Sequence, residues 1–274
     1  MADAEHALEE ALRRARAFVA RSGDAADRIR VDALLGLRPP RDAEQALSSR
    51  REAASADPEA AAELFEALSE LRLLRGALAA ECSKAVERLQ RADGSWCAGG
   101  AQADAGPLLP LGLEGHADAL FLTALLGGFL GLTGAALETT DVAGAWLAAR
   151  WSPDLVQSGS WHAIASLLHF FANVDHELGD EVLQWCGREL ERGFRSGAID
   201  ALHTARAFVL CEATSLPGAR LSGREVLEAL LASQDEGGGF PSRPGGPPEV
   251  AATLHAVAAL TRLGSWRRGT LAAG

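Results

Sequence analysis

Four of the seven histidines in this 274-residue chain fall early on apolar helix patterns, each near a carboxylate or an indole. His116 lies two residues before Asp118, His162 follows Trp161, His203 follows Asp200 by three residues, and His255 follows Glu249 by six. An imidazole beside a carboxylate can pass a proton or hold a metal ion. The Asp200–His203 spacing puts both groups on one face of a helix. His203, Asp200, His116 and Asp118 are therefore the expected catalytic groups. Trp161, His162, Arg206, Glu249, His255 and Phe170 are the expected ligand contacts, and Arg206 is the cation expected in mid-helix beside His203. The same residue types also have a structural use, since they cap helix N-termini, satisfy buried backbone groups and fill cores. Zinc is the cofactor to test, with Asp200, His203 and Cys97 as candidate ligands. Their spacing is not one of the diagnostic zinc patterns, and no C-x-x-C pair occurs.

Helices must position these groups, and the stretch Leu221–Leu263 shows how. Val226, Leu227, Leu230 and Leu231 make one apolar face, with Arg224, Glu225 and Glu228 toward the other side. Asp235-Glu236-Gly237-Gly238-Gly239-Phe240 then forces a turn, because glycine supplies the positive φ that a reversal needs. A proline-rich connector follows, and an apolar helix runs from Glu249 to Leu263. Weaker copies of this unit lie upstream. Lys84–Gln90 leads through Asp93-Gly94-Ser95-Trp96 to a helix from about His116 to Leu132. Val142–Arg150 leads through Gly159-Ser160-Trp161 to Ala163–Val174, and Asp180–Arg192 leads through Gly197-Ala198-Ile199 to Asp200–Ala213. The turn residues Trp96, Trp161, Ile199 and Phe240 are 65, 38 and 41 residues apart, a spacing that fits an array of helical hairpins.

Val86, Gln90, Asp93, Gly94 and Trp96 resemble the QW repeat of squalene and terpenoid cyclases, with Val in the place of Leu. SQDEGGGFPSRPGGPPEVAATLHAVAAL resembles the repeat of protein prenyltransferase β subunits. The resemblance covers residues 77–264, and residues 1–76 join by helix pattern only. It implies an all-α fold, one domain over residues 1–274, built as an α/α toroid of about six hairpins with inner helices around a central cavity. It further implies a prenyltransferase-like or cyclase-like enzyme, or a binding protein, for an isoprenoid or similar apolar ligand. Several departures limit this. The DxDD and DDxxD motifs are absent, and the prenyltransferase Asp-x-Cys zinc pair is replaced by Glu249-Val250-Ala251. One alternative is a non-catalytic toroid that binds a protein partner. Another is a metal-dependent enzyme, because Trp96-Cys97-Ala98-Gly99 is similar to the zinc motif of lanthionine cyclases, whose Cys-His-Gly element is missing here.

The net charge of −11 argues against nucleic acid or an anionic membrane surface as partner. Ala119–Leu137 carries no charge and reaches spanning length, but its four glycines and its place in a repeat predict a buried helix, not a membrane span. The acidic amphipathic start does not read as a signal peptide, and the scattered cysteines read as reduced thiols, which together predict a cytoplasmic protein. At the N-terminal end, periodicity predicts helices over residues 3–22, 25–35 and 42–54, the last capped by Asp42. A fourth begins at Asp57-Pro58 and continues or kinks near Gly76.

Overall fold

Apolar residues spaced by three and four make the computed structural model helical along most of its length. It describes residues 2–97, 116–134, 136–157 and 161–272, with the side chains of 2–4, 116–118 and 266–272 outside that description. Helix α1 (Ala2–Ser22) buries Leu8, Ala15, Phe18 and Val19, as its spacing predicts. Helix α2 (Ala25–Leu34) starts in a capping box between Asp24 and Asp27. The expected helix over residues 42–54 is instead α3 (Pro40–Leu47), a 3-10 turn (Ser48–Arg50) and α4 (Arg51–Ala56). Pro40 takes the first position of α3, so the helix starts before Asp42 and Asp42 is no cap. Asp57 does cap α5 (Pro58–Glu70), its carboxylate 2.9 Å from the Ala60 N–H.

Helix α5 stops well before Gly76. Arg72 takes φ 59°, its N–H bonds Ser69 O at 2.9 Å, and the Leu73 N–H bonds Leu68 O at 2.8 Å. That pairing is a left-handed C-cap, a place usually given to glycine. Then follow α6 (Ala77–Leu89), α7 (His116–Thr133), α8 (Leu137–Ala148), α9 (Asp154–Gln157), α10 (Trp161–Asn173), α11 (Gly179–Ser196), α12 (Ala201–Leu210), α13 (Gly223–Ala232) and α14 (Val250–Ala272). The proline-rich connector before α14 pairs β1 (Phe240–Pro241) with β2 (Pro248–Glu249), antiparallel. No helix among the described residues is long and apolar enough to cross a membrane.

Five helices pack in sequence, α5 on α7, α7 on α10, α10 on α12 and α12 on α14, and α14 also packs on α2. The amphipathic α1, α4, α6, α8, α11 and α13 each pack on one or more of these. All four turn residues are buried: Trp96, Trp161, Ile199 and Phe240. Cys82, Cys97, Cys186 and Cys211 are free thiols.

Two of the repeats match bond for bond. Gln90 donates to Gly94 O of its own turn and to Thr139 O of α8, both at 3.0 Å. Gln234 donates to Gly238 O of its turn at 2.9 Å and to Ala11 O of α1 at 2.8 Å. The Trp96 N–H bonds Thr123 Oγ1 at 3.0 Å, and the Phe240 N–H bonds Thr253 Oγ1 at 2.9 Å. Gly94 (φ +92°) and Gly238 (φ +89°) sit in the turns. A Cβ on Gly94 would stand 2.6 Å from Val142 Cγ1, and one on Gly238 would stand 2.5 Å from Arg14 O. The turn after α6 is thus seated on α8, and the turn after α13 is seated in the same way on α1.

Candidate functional site

The N-terminal ends of α10 and α12 bring together five of the residues singled out in the sequence. Asp200 caps α12: its Oδ1 accepts the His203 N–H at 2.8 Å, and its Oδ2 lies 2.7 Å from His203 Nδ1. An ionised carboxylate can only accept, so His203 Nδ1–H is the donor of this bond and Nε2 is left outside it. Burial works to raise the Asp200 carboxyl, but the hydrogen bond and charge of His203 outweigh it and hold the group below its ordinary value. Trp161 donates Nε1–H to His203 O at 3.0 Å. Its ring stands 4.6 Å from that of His203 and 5.0 Å from that of His162. Phe121 of α7 meets His162 edge-on at 5.6 Å. Burial, then the nearness of His203 and Arg206, pushes His162 down to about 4, so it is neutral at pH 7. Its Nδ1 is buried with no partner among the described residues.

Arg206, nearly a turn beyond His203, joins this group to a second one. Its guanidinium carbon lies 5.0 Å from the Trp161 ring centroid. Nε and Nη2 donate to Glu66 Oε1, the former at 3.0 Å, while Nη1 is buried without a partner among the described residues. Beyond Glu66 the ions continue. His255 Nδ1 bonds Glu70 Oε1 and lies 3.9 Å from Glu66 Oε1, and Arg30 of α2 bonds Glu70 Oε2. Arg30, Glu66, Glu70, Arg206 and His255 are all buried, and all but Arg30 line a void of about 10 Å³. That space holds roughly one water. Burial works to raise both glutamates. His255 and Arg30 outweigh it at Glu70, held down to about 2, and Arg206 and His255 outweigh it at Glu66, also lowered.

Other expectations are corrected. Glu249 lies in β2 and accepts from Ser242, so it faces its own connector and is not part of the histidine group. His255 sits among the buried ions instead of at the helix ends, because α14 begins after Glu249 and His255 falls in its second turn. Phe170 is fully buried core, packed beneath Gly127 of α7. The void among these ions is lined by residues of α5, α12 and α14. The side chains of His116 and Asp118 lie outside the described residues. Glu66, Glu70 and Arg30 were not foreseen, yet one signal was present. Two acids four residues apart interrupt the apolar run Leu64–Leu71, every member of which is buried.

The metal expectation meets this geometry poorly. Both Asp200 oxygens are spent on His203, and Cys97 accepts instead from Arg91 Nη1 at 2.9 Å. Glu66, Glu70 and His255 each bring one ligand atom within 4.8 Å of the others. Arg206 and Arg30 already balance both carboxylates, however, so a divalent ion there would face two guanidiniums across a one-water void. The donor set suits a charge-balanced polar network better than a metal centre. In comparison with known proteins, the chain matches no family model, no curated protein and no solved structure.

Proposed function

We propose that the hairpins close into a ring, an α/α toroid, and that the Asp200–His203 end is the active end of an enzyme. Its ligand has an apolar body and an anionic head, and an isoprenoid diphosphate is the class to which the turn motifs point. Ring closure is supported by the last hairpin, whose Gln234 and Gly238 treat α1 as Gln90 and Gly94 treat the next helix in the chain, α8. The packing of α14 on both α1 and α2 supports it too.

One observation carries the chemical reading. A buried guanidinium keeps an unpaired N–H one turn from an imidazole oriented by a carboxylate. In this scheme Arg206 Nη1 donates to an oxygen of the anionic head. The Trp161 face receives the apolar body and any positive charge that develops on it. The diphosphate leaves with the electron pair of its C–O bond, and His203 Nε2 accepts the proton released by the attacking nucleophile or by the ligand cation. Neutral His162 and Phe121 wall the site on the α7 side. No step passes through a metal. The test is pyrophosphate release from geranyl diphosphate by wild type and His203→Ala, with circular dichroism as the folding control. The expected loss is about 100-fold or more, the scale of general-base catalysis. Equal release by both proteins, or none by wild type, would overturn the proposal.

A further inference from the structure

A hollow of about 360 Å³ opens where α5, α7 and α12 end. Measured along α12, it is about 14 Å from His203, at roughly 1.5 Å per residue. Arg72, Arg75 and Arg262 line it, with Glu212 and the apolar side chains of Leu74 and Leu132. Arg262 is buried and anchored, bonding Glu212 at 3.0 Å and the Ser69 carbonyl. Arg72 and Arg75 are exposed, and neither guanidinium has a hydrogen bond, ion pair or ring contact with a described residue. The wall therefore holds three cations against one carboxylate, on a chain whose net charge is −11.

The backbone adds an independent observation. Arg72 (φ 59°) and Glu212 (φ 48°) are the two non-glycine residues with positive φ among those described, and both stand in this hollow. Each is the left-handed cap that closes a helix, a position where glycine carries no steric cost. Strained backbone positions of this kind cluster at functional sites. Helix C-termini carry partial negative charge, about half a unit each, which by itself opposes an anion. Two unpaired guanidiniums exceed it.

We infer that this hollow is a second binding site, for a small organic anion with two or more negative charges, phosphate or carboxylate. Its volume suits a small ligand, since such pockets span roughly 300–1,000 Å³. Guanidinium forks match both anion types, and Leu74 and Leu132 take the apolar part. The acidic remainder of the surface repels an extended polyanion, which limits the ligand to a small one.

Calorimetric titration at low salt with pyrophosphate and with citrate tests this on the full chain, using wild type, Arg72→Gly, Arg75→Gln and His203→Ala. Wild type is expected to bind at least one anion, and the preferred one names the head group. Arg72→Gly relieves the backbone strain, so its melting temperature stays level or rises while its affinity falls tenfold or more. Arg75→Gln loses affinity as well, and His203→Ala keeps it, which separates this site from the one at the other end of α12. Absence of binding by wild type, unchanged affinity in both arginine variants, or loss in His203→Ala alone would overturn the inference.

Discussion

Helix α7 meets α10 through close approach, whereas α5 meets α2, α12 and α14 through ions. On the first side Gly128 faces the His169 ring with no room for a Cβ, and Phe129 lies 4.4 Å from the same ring. Phe65 stacks on Phe129 at 5.8 Å, and Phe170 is fully buried. On the second side, Arg30–Glu70, Glu70–His255 and Glu66–Arg206 join residues far apart in the chain. Apolar contact is non-directional and tolerates imperfect partners. Buried ions need every partner in place, because one left alone keeps its full desolvation cost. The ionic side should therefore be the more fragile to single changes.

Arg206→Ala is the harshest single break. It strands the buried Glu66 carboxylate and should cost about 3–5 kcal/mol in urea unfolding. Adding Glu66→Gln should recover part of that loss, and a double variant worse than the single one would contradict the ionic account. Acid separates the two sides by pH window. His169, pushed down to about 4 by burial, binds its proton more readily in the unfolded chain, so stability is lost as pH falls from about 6.5 toward 4. At about 1.4 kcal/mol per pKa unit this is on the order of 3 kcal/mol. Glu70, held at about 2, contributes stability above about 4.5 that disappears as pH falls toward 2. Thermal melts between pH 7 and 2 should show the histidine stage first, and His169→Asn should shrink that stage to the part that His162 contributes, leaving the glutamate stage unchanged. The mildest break is Gly128→Ala, where the added methyl meets His169 Cδ2. About 1–3 kcal/mol is expected, the usual scale of overpacking. A neutral result would show that the α7–α10 contact gives way easily.

Legibility in the sequence follows the same division. Local pattern announced α1, the Asp57 cap and the buried α7, because helix periodicity and capping act within a few residues. Asp200–His203 was readable for the same reason, being one helical turn. The Gln90 and Gln234 turns could be aligned by eye, but their second bonds, to α8 and α1, could not be. His255 was singled out beside Glu249, yet its partner Glu70 lies 185 residues away. Arg206 reads from the sequence as a ligand contact, because nothing near it in the chain hints that Glu66 takes two of its donors. Long-range pairing of charges leaves no periodic trace beyond acids placed on an apolar face. Pro40 shifted a helix start that Asp42 alone predicts, a local competition decided by proline at the first helical position.

The most direct test of the functional account is calorimetric titration of the wild-type chain with geranyl diphosphate, with geraniol and pyrophosphate as separate controls and Trp161→Ala alongside. The account predicts saturable binding of the diphosphate ester, tighter than either control, and at least tenfold weaker in Trp161→Ala. Equal affinity for the ester and pyrophosphate alone, unchanged in Trp161→Ala, would contradict it by leaving the aromatic end of α10 without a ligand.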